Sequence, residues 1–423
     1  MQPPIWYDVL LSLLKPFYLW RIRKRAENTQ ALELELTQRF GDFLPPKNTQ
    51  TIWFHAVSVG ETNAAQPLIQ HYLEQGCTVL VTNTTKTGQA RAKALFDEKY
   101  PDLFQAVFLP VDQKKLIKKF VALYQPKILL LMETELWANL LANVPVPKLL
   151  LNARLSEKSA KGYQKIKWLT QPMLQSLDWI AAQDQATLAR FKQLGQTPQK
   201  MSVVGNIKFD ITAPQSFLDE AAQIKQLWLL QQRKIIVLAS THSPEEQRLL
   251  EVLKPGLTQD PQLLCIVVPR HPERFDSVFN IAQKLNLKTQ RRSLKQSITT
   301  ETQVYLADSM GELWLWYALA HVAFVGGSLN TPGGGHNILE PIALNVPTVV
   351  GKNYFNFQAI VDYFLQEQAV CVGENLQETV NLILQLIEQP QMRQKMIEQA
   401  HIVMQKNQGS VQRHIQMIEQ FLT

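Results

Sequence analysis

From residue 50 onward the chain alternates short, nearly continuous apolar runs with longer stretches of helical spacing, and this alternation narrows the possible folds most. The runs fall at 51–57, 78–82, 106–109, 128–132, 149–151, 179–182 and 202–204. A second series falls at 235–239, 263–268, 304–306, 322–325, 348–350 and 370–372. A strand that is apolar at every position has no face to offer water, so the helices between the strands must cover both sides. Each series therefore predicts a doubly wound parallel sheet, and the chain reads as α/β with two Rossmann-like domains facing across a cleft. Sheets of this kind bind ligands at the carboxyl ends of their strands. The polar segment DITAPQS at 210–216, with Pro214, is the expected linker. It separates a first domain at 26–209 from a second at 217–423, whose last helix is long enough to lie back over the first.

Composition removes several classes. With 46% hydrophobic and 19% charged residues among 423, the chain has enough apolar side chain for a sizeable core, yet is not apolar enough for a multi-span membrane protein. Cys77, Cys265 and Cys371 are scattered, which suggests neither a zinc ribbon nor a disulfide framework. The net charge of +7 calls for an anionic partner. No stretch interleaves aromatic and basic residues as a single-strand binder would, so nucleic acid is not expected. An acidic lipid surface or a phosphorylated substrate explains the charge more simply.

The N-terminus, 1–25, favours lipid. Its apolar stretch IWYDVLLSLLKPFYLW, Ile5 to Trp20, is shorter than the roughly 20 residues a spanning helix needs, and Asp8, Lys15 and Pro16 interrupt it. Trp6, Tyr7, Tyr18 and Trp20 suit the headgroup level, and Arg21, Arg23, Lys24 and Arg25 suit anionic lipid. Monotopic attachment on the cytoplasmic side is the preferred reading. The alternative is an amphipathic helix packed on the protein's own core.

Chemistry-bearing residues cluster where strands end. In HAVSVGET, Glu61 sits in the first turn of a helix, placed either to take a proton from a hydroxyl or merely to complement the helix dipole. METELWANL supplies Glu133 and Glu135, and their spacing does not say which faces a ligand. TNTTKTG, from Thr82 to Gly88, offers hydroxyls at a strand–helix turn, and Lys208 of GNIKFD could neutralise an anion. In the second half, ASTHSPEE carries His242, VVPRHPERF places Arg270 and His271 at a strand end, and DSMGELW precedes a helix beginning at Glu312. The segment FVGGSLNTPGGGHNILEP, 324–341, lets backbone N–H groups approach a ligand, with a helix start at His336–Asn337 and Glu340 placed for ribose hydroxyls. It is neither G-x-G-x-x-G nor a Walker A loop. Histidines 55, 242, 271 and 336 lie in four separate loops without a metal-binding pair, so no metal site is expected.

Taken in order, HAVSVGET, METELW, NARLS, GNIKFD, STH, VPRHPERF, MGELWLWYALA and GGGHNILEP closely resemble the bacterial 3-deoxy-D-manno-octulosonic acid (Kdo) transferases of lipid A assembly. The likeness runs from about residue 5 to beyond residue 360. It implies a GT-B glycosyltransferase that moves Kdo from CMP-Kdo to a lipid A precursor at the cytoplasmic face of the inner membrane of a Gram-negative cell, with no cofactor. By the same resemblance Glu61 is the general base, and Glu133 and Lys208 stabilise the transition state. CMP contacts fall on Pro269 and Arg270, on Met310, Gly311 and Glu312, and on Asn337, Ile338, Leu339 and Glu340. Three positions depart from the family pattern: Ala138 where Pro is usual, His321 where Asp is usual, and Lys86 in the hydroxyl loop.

Overall fold

The computed structural model describes residues 3–24 and 28–422. Its packing divides into two compact units: unit 1 runs to Asp210 and takes in the chain again from Gln408, and unit 2 is Ile211–Asn407.

Unit 1 is built on seven parallel strands, β1 (Ile52–His55), β2 (Val79–Asn83), β3 (Phe104–Phe108), β4 (Ile128–Met132), β5 (Lys148–Ala153), β6 (Trp179–Ala182) and β7 (Met201–Val203), in the order β3-β2-β1-β4-β5-β6-β7. Alternate residues of one strand enter different cores. Ile52 and Phe54 face one side and Trp53 the other, as Leu129 and Leu131 oppose Ile128, Leu130 and Met132. That two-sided burial is why the strands carry no polar alternation. The order reverses between β1 and β4, where His55 pairs with Leu131, so the loops leaving these strands diverge to opposite faces.

Unit 2 repeats the plan with β8 (Lys234–Thr241), β9 (Leu263–Pro269), β10 (Thr289–Arg291), β11 (Val304–Leu306), β12 (Val322–Val325), β13 (Thr348–Gly351) and β14 (Cys371–Gly373), in the order β10-β11-β9-β8-β12-β13-β14. Its reversal lies between β8 and β12, where Ala239 pairs with Val325. Both units are thus parallel-sheet and Rossmann-like, as the two series of apolar runs predict. β10 has no counterpart among the apolar runs of the sequence. Its residues Thr-Gln-Arg are half-exposed at the sheet edge, where an apolar run is not required.

The chain end belongs to unit 1. Helix Ser410–Glu419 places Ile415, Met417 and Ile418 in the same core as Ile52 and Phe54. Asp210 fastens its start by accepting from the backbone N–H of Gly409 (2.6 Å) and Val411 (2.5 Å). The polar stretch at 210–216 is thus partly structural: Asp210 is a staple, and helix Gln215–Leu227 already begins behind Pro214.

Helix Ile5–Lys24 docks on unit 1 by its polar side chains. Tyr7 donates to Asp112 (2.9 Å), Asp8 accepts from the Lys114 N–H and from Asn139 Nδ2 (3.0 Å each), and Gln113 donates to Ser12 (2.9 Å). One row of its apolar side chains points outward: Ile5, Leu13 and Phe17 are 85%, 73% and 61% exposed, with Val9 between them at the same four-residue spacing, while Ile22 is buried. Among the described residues no helix is long and apolar enough to cross a membrane. Arg25, counted in the basic cluster, lies outside the described residues.

His414 gives a direct test of the chain-end packing. Its Nδ1 faces the Ser410 carbonyl at 2.7 Å while its Nε2 accepts from the Asn152 N–H at 3.0 Å, and burial lowers its pKa to about 4. The unfolded chain therefore binds a proton that the folded one refuses between about pH 4 and 6.5, and this contribution to stability is lost as pH falls through that window. His414→Phe should lower stability near neutrality by about 1–3 kcal/mol, because the Asn152 N–H loses its acceptor. Urea unfolding should also show a shallower loss on acidification in the variant than in the wild type.

Candidate active site

In unit 1 the site grows from the two strands at the sheet reversal. β1 ends in His55, whose Nδ1 contacts the Thr82 carbonyl (3.1 Å) and hydroxyl (2.9 Å), while Trp53 Nε1 donates to the same hydroxyl (2.8 Å). The chain then turns into helix Val59–Glu74 with Ser58 as its N-cap. Glu61, in the first turn, folds back over this start: Oε2 accepts from the Val57 N–H (2.7 Å) and Oε1 from the Ser58 hydroxyl (3.1 Å). Both bonds favour the carboxylate. Burial outweighs them, and the charges of Glu135 and Glu133 add to it, so the Glu61 carboxyl is raised to about 7. A half-buried group of that proton affinity can accept a proton at neutral pH and hold it.

Glu133 follows β4 directly and adopts the left-handed backbone conformation (φ +56°). Lys208 Nζ, from the turn Ile207–Phe209 beyond β7, donates to Glu133 Oε1 at 3.0 Å. Glu135 takes another direction: Oε2 accepts from Trp137 Nε1 (2.8 Å) and lies 3.8 Å from His55 Nε2, a buried nitrogen with no hydrogen-bond partner among the described residues. The two carboxylates left undistinguished by their spacing are thus separated by their partners. Glu133 and Lys208 form an ion pair near Glu61, whereas Glu135 is held by aromatic neighbours. From the sequence His55 was weighed only as a metal ligand, and Trp137, two residues beyond Glu135, carried no assigned role.

In unit 2, β9 ends at Pro269, and Arg270 beyond it is exposed. Met310 is exposed and Gly311 has φ +82°, a turn that favours glycine. Glu312 is already engaged: Arg292 reaches it at 2.8 Å and the Ser309 hydroxyl donates to it. Although burial alone would raise its pKa, these bonds hold it low. The helix after the glycine-rich loop starts at Leu339 and spans only Leu339–Ala343, shorter than expected and not opening at His336. Asn337 Oδ1 accepts the Leu339 N–H (3.1 Å) and its Nδ2 donates to Glu340 (3.2 Å), so the Asn337 side chain closes the helix start that was expected to receive a phosphate. Ile338 and Leu339 are buried. Among the described residues no group of three or more His, Cys, Asp or Glu side chains is arranged to hold a metal ion.

The family model described as 3-deoxy-D-manno-octulosonic-acid transferase (kdotransferase) matches residues 35–211, and that of glycosyl transferases group 1 matches residues 223–402. The 3-deoxy-D-manno-octulosonic acid transferase of Haemophilus influenzae is 35% identical over 427 residues, covering 98% of each chain. The chain belongs to the Kdo transferase family. The Bordetella pertussis enzyme of the same name is 34% identical over 98% of this chain and 99% of its own. Anabaena HepE in complex with UDP shares the fold at 15% identity, with a TM-score of 0.53 over 88% of this chain and 99% of that one.

Of the three departures from the family pattern, none displaces a carboxylate of the Kdo transferase site. Ala138 opens helix Ala138–Asn143, Lys86 lies 3.8 Å from Glu35, and His321 Nδ1 accepts the Ile235 N–H at the amino end of β8. Glu135→Gln removes one negative neighbour of Glu61 while keeping an acceptor for Trp137. The Glu61 titration, followed by carbon NMR of labelled carboxyls, should move down from about 7 by a few tenths to about one unit. An unmoved midpoint would leave burial and the Glu133 charge as its causes.

Proposed function

We propose that this Kdo transferase moves Kdo from CMP-Kdo to the phosphorylated lipid A precursor lipid IVA, in one inverting step and without a metal. The observation that carries the reading is Glu61, a carboxyl poised at about 7 beside the Lys208–Glu133 ion pair at the reversal of the unit 1 sheet. An acceptor hydroxyl is a weak nucleophile until its proton has somewhere to go. Glu61 takes that proton as the oxygen attacks the anomeric carbon; the bond from that carbon to the phosphoryl oxygen breaks, and CMP leaves with the electron pair. Lys208, with its charge positioned by Glu133, stabilises the transition state. Pro269, Arg270, Met310, Gly311, Glu312 and Asn337 through Glu340 are the residues assigned to CMP. A monophosphate leaving group carries less charge than a diphosphate, so Arg270 and backbone donors suffice for it.

The acceptor is lipid-borne, and unit 1 has features that suit it. The exposed row Ile5, Val9, Leu13 and Phe17, followed by Arg21, Arg23 and Lys24, fits an interfacial helix lying on anionic lipid at the cytoplasmic face of the inner membrane. A pocket behind it is lined by Leu14, Phe17, Tyr18 and Arg21, with Arg39 and Lys86 paired to Glu35, so its apolar wall suits an acyl chain and Arg21 a phosphate.

Purified enzyme, supplied with CMP-Kdo generated in situ and lipid IVA in detergent, should release CMP only when acceptor is present, with the glycolipid gaining Kdo mass. Turnover should rise with pH through about 7 and level off above it, because the deprotonated Glu61 is the active form. Glu61→Gln should lower turnover by about 100-fold or more and remove that pH limb. Binding of CMP without acceptor-dependent release would refute the transfer step.

Co-sedimentation with vesicles tests the membrane reading separately. Wild type should pellet with phosphatidylglycerol vesicles and less with phosphatidylcholine, and Leu13→Glu with Phe17→Glu should abolish pelleting. Equal pelleting of the double variant would remove the helix from the contact.

A further inference from the structure

Two histidines not used in the transfer chemistry above meet at the sheet reversal of unit 2. His242 follows β8 and His336 lies on the glycine-rich loop after β12, and these two strands are neighbours. Their Nε2 atoms are 2.7 Å apart and their rings are within 8° of parallel. The placement is built in. Glu245, itself buried, accepts from the backbone N–H of His242 (3.1 Å), Gly327 (2.7 Å) and Leu329 (2.8 Å), so one carboxylate fastens both loops. Gly327, at φ +68°, lies so close to the His336 ring that an added Cβ would stand 3.1 Å from it.

A neutral imidazole carries one N–H. If one ring donates through Nε2, the ring that accepts must carry its own proton on Nδ1. The neutral pair therefore presents one donor and one lone pair at its two Nδ1 atoms, and among the described residues neither atom has a hydrogen bond. Arg270 and His271 face the pair from beyond β9, His271 edge-on to His242 at 4.9 Å. Glu246 faces it from the helix after β8, itself 3.6 Å from Arg274. Burial, and after it the neighbouring positive charge, lowers the pKa of both rings, that of His336 to about 4. Without a ligand the pair is neutral in a cationic corner.

We propose that His242 and His336 receive the phosphoryl group of the donor, sharing one proton while the site is empty and presenting a second N–H when it is filled. This rests on the CMP-Kdo reading of unit 2 and adds two binding residues to it. A docked phosphoryl anion opposes the charge that keeps the second proton off, so binding and protonation reinforce each other. When the bond to the anomeric carbon breaks, the electron pair that stays on the phosphoryl oxygen finds an imidazolium donor beside it.

The probe is the methyl ester of CMP, a phosphodiester whose single charge does not titrate near neutrality, with cytidine as the uncharged control. Calorimetry in buffers of different ionisation enthalpy counts the protons taken up on binding. Wild type should take up about one proton per bound probe near pH 6 and close to none near pH 8, and none with cytidine. His242→Gln and His336→Gln should each bring the uptake toward zero and weaken the probe, but not cytidine, by about tenfold. Probe binding without proton uptake by the wild type overturns the proposal whether or not the variants fold, as does undiminished uptake in both variants. If wild type binds neither probe nor CMP, the donor reading falls and this assignment with it; binding without uptake removes the pair alone.

Discussion

Seven parallel strands covered on both faces can offer polar chemistry only where the strands stop, and in this enzyme the rest follows from that constraint. The interior of each sheet is closed to water, as the burial of Ile52, Trp53 and Phe54 on β1 and of Ile235 through Ala239 on β8 shows. Side chains that titrate, pair or bind must sit on the loops beyond. Among those loops, the pair leaving the point where strand order reverses has room, because the two connections depart to opposite faces. Glu61 and Glu133 leave β1 and β4 at one reversal, and His242 and the glycine-rich loop leave β8 and β12 at the other.

The same burial that excludes water sets the acid–base character of unit 1. Glu61 accepts two hydrogen bonds at the helix start, and in solvent such a carboxylate would be held at or below its ordinary range. Near the buried strand ends, desolvation reverses the outcome, and Glu133 and Glu135 push the same way. The structural and chemical readings of this residue are therefore not rivals. The cap fixes where the carboxyl sits, and the surroundings fix what it can do with a proton.

Much of this was legible in the sequence because burial on both faces leaves a plain mark: each uninterrupted apolar run became a strand. β10 was not legible, since an edge strand of Thr, Gln and Arg carries no such mark. Local spacing was equally silent on Glu133 and Glu135, because what separates them is tertiary: Lys208 arrives from beyond β7, and His55 from the end of β1. The glycine-rich loop was read as opening a helix at His336, but the Asn337 side chain takes the first free N–H and the helix waits until Leu339. Composition could not foresee that Asp210, in a polar linker, would fasten a helix nearly two hundred residues away in sequence.

The N-terminal helix inverts the usual arrangement of an amphipathic element, and the reason lies in what it packs against. Asp112 is buried with both oxygens occupied, by the Asn139 and Leu140 N–H groups and by the Tyr7 hydroxyl, and burial raises its carboxyl to about 6. Removing Tyr7 would leave one of those oxygens without its side-chain donor in a site that water reaches poorly. The helix is therefore bound through polar groups, which specify one orientation, whereas an apolar contact would tolerate several. Fixing that orientation by Tyr7, Asp8 and Ser12 turns Ile5, Val9, Leu13 and Phe17 away from unit 1. Of the helix's aliphatic side chains Ile22 alone is buried, so the outward row is set by the polar bonds and not by an apolar inward face.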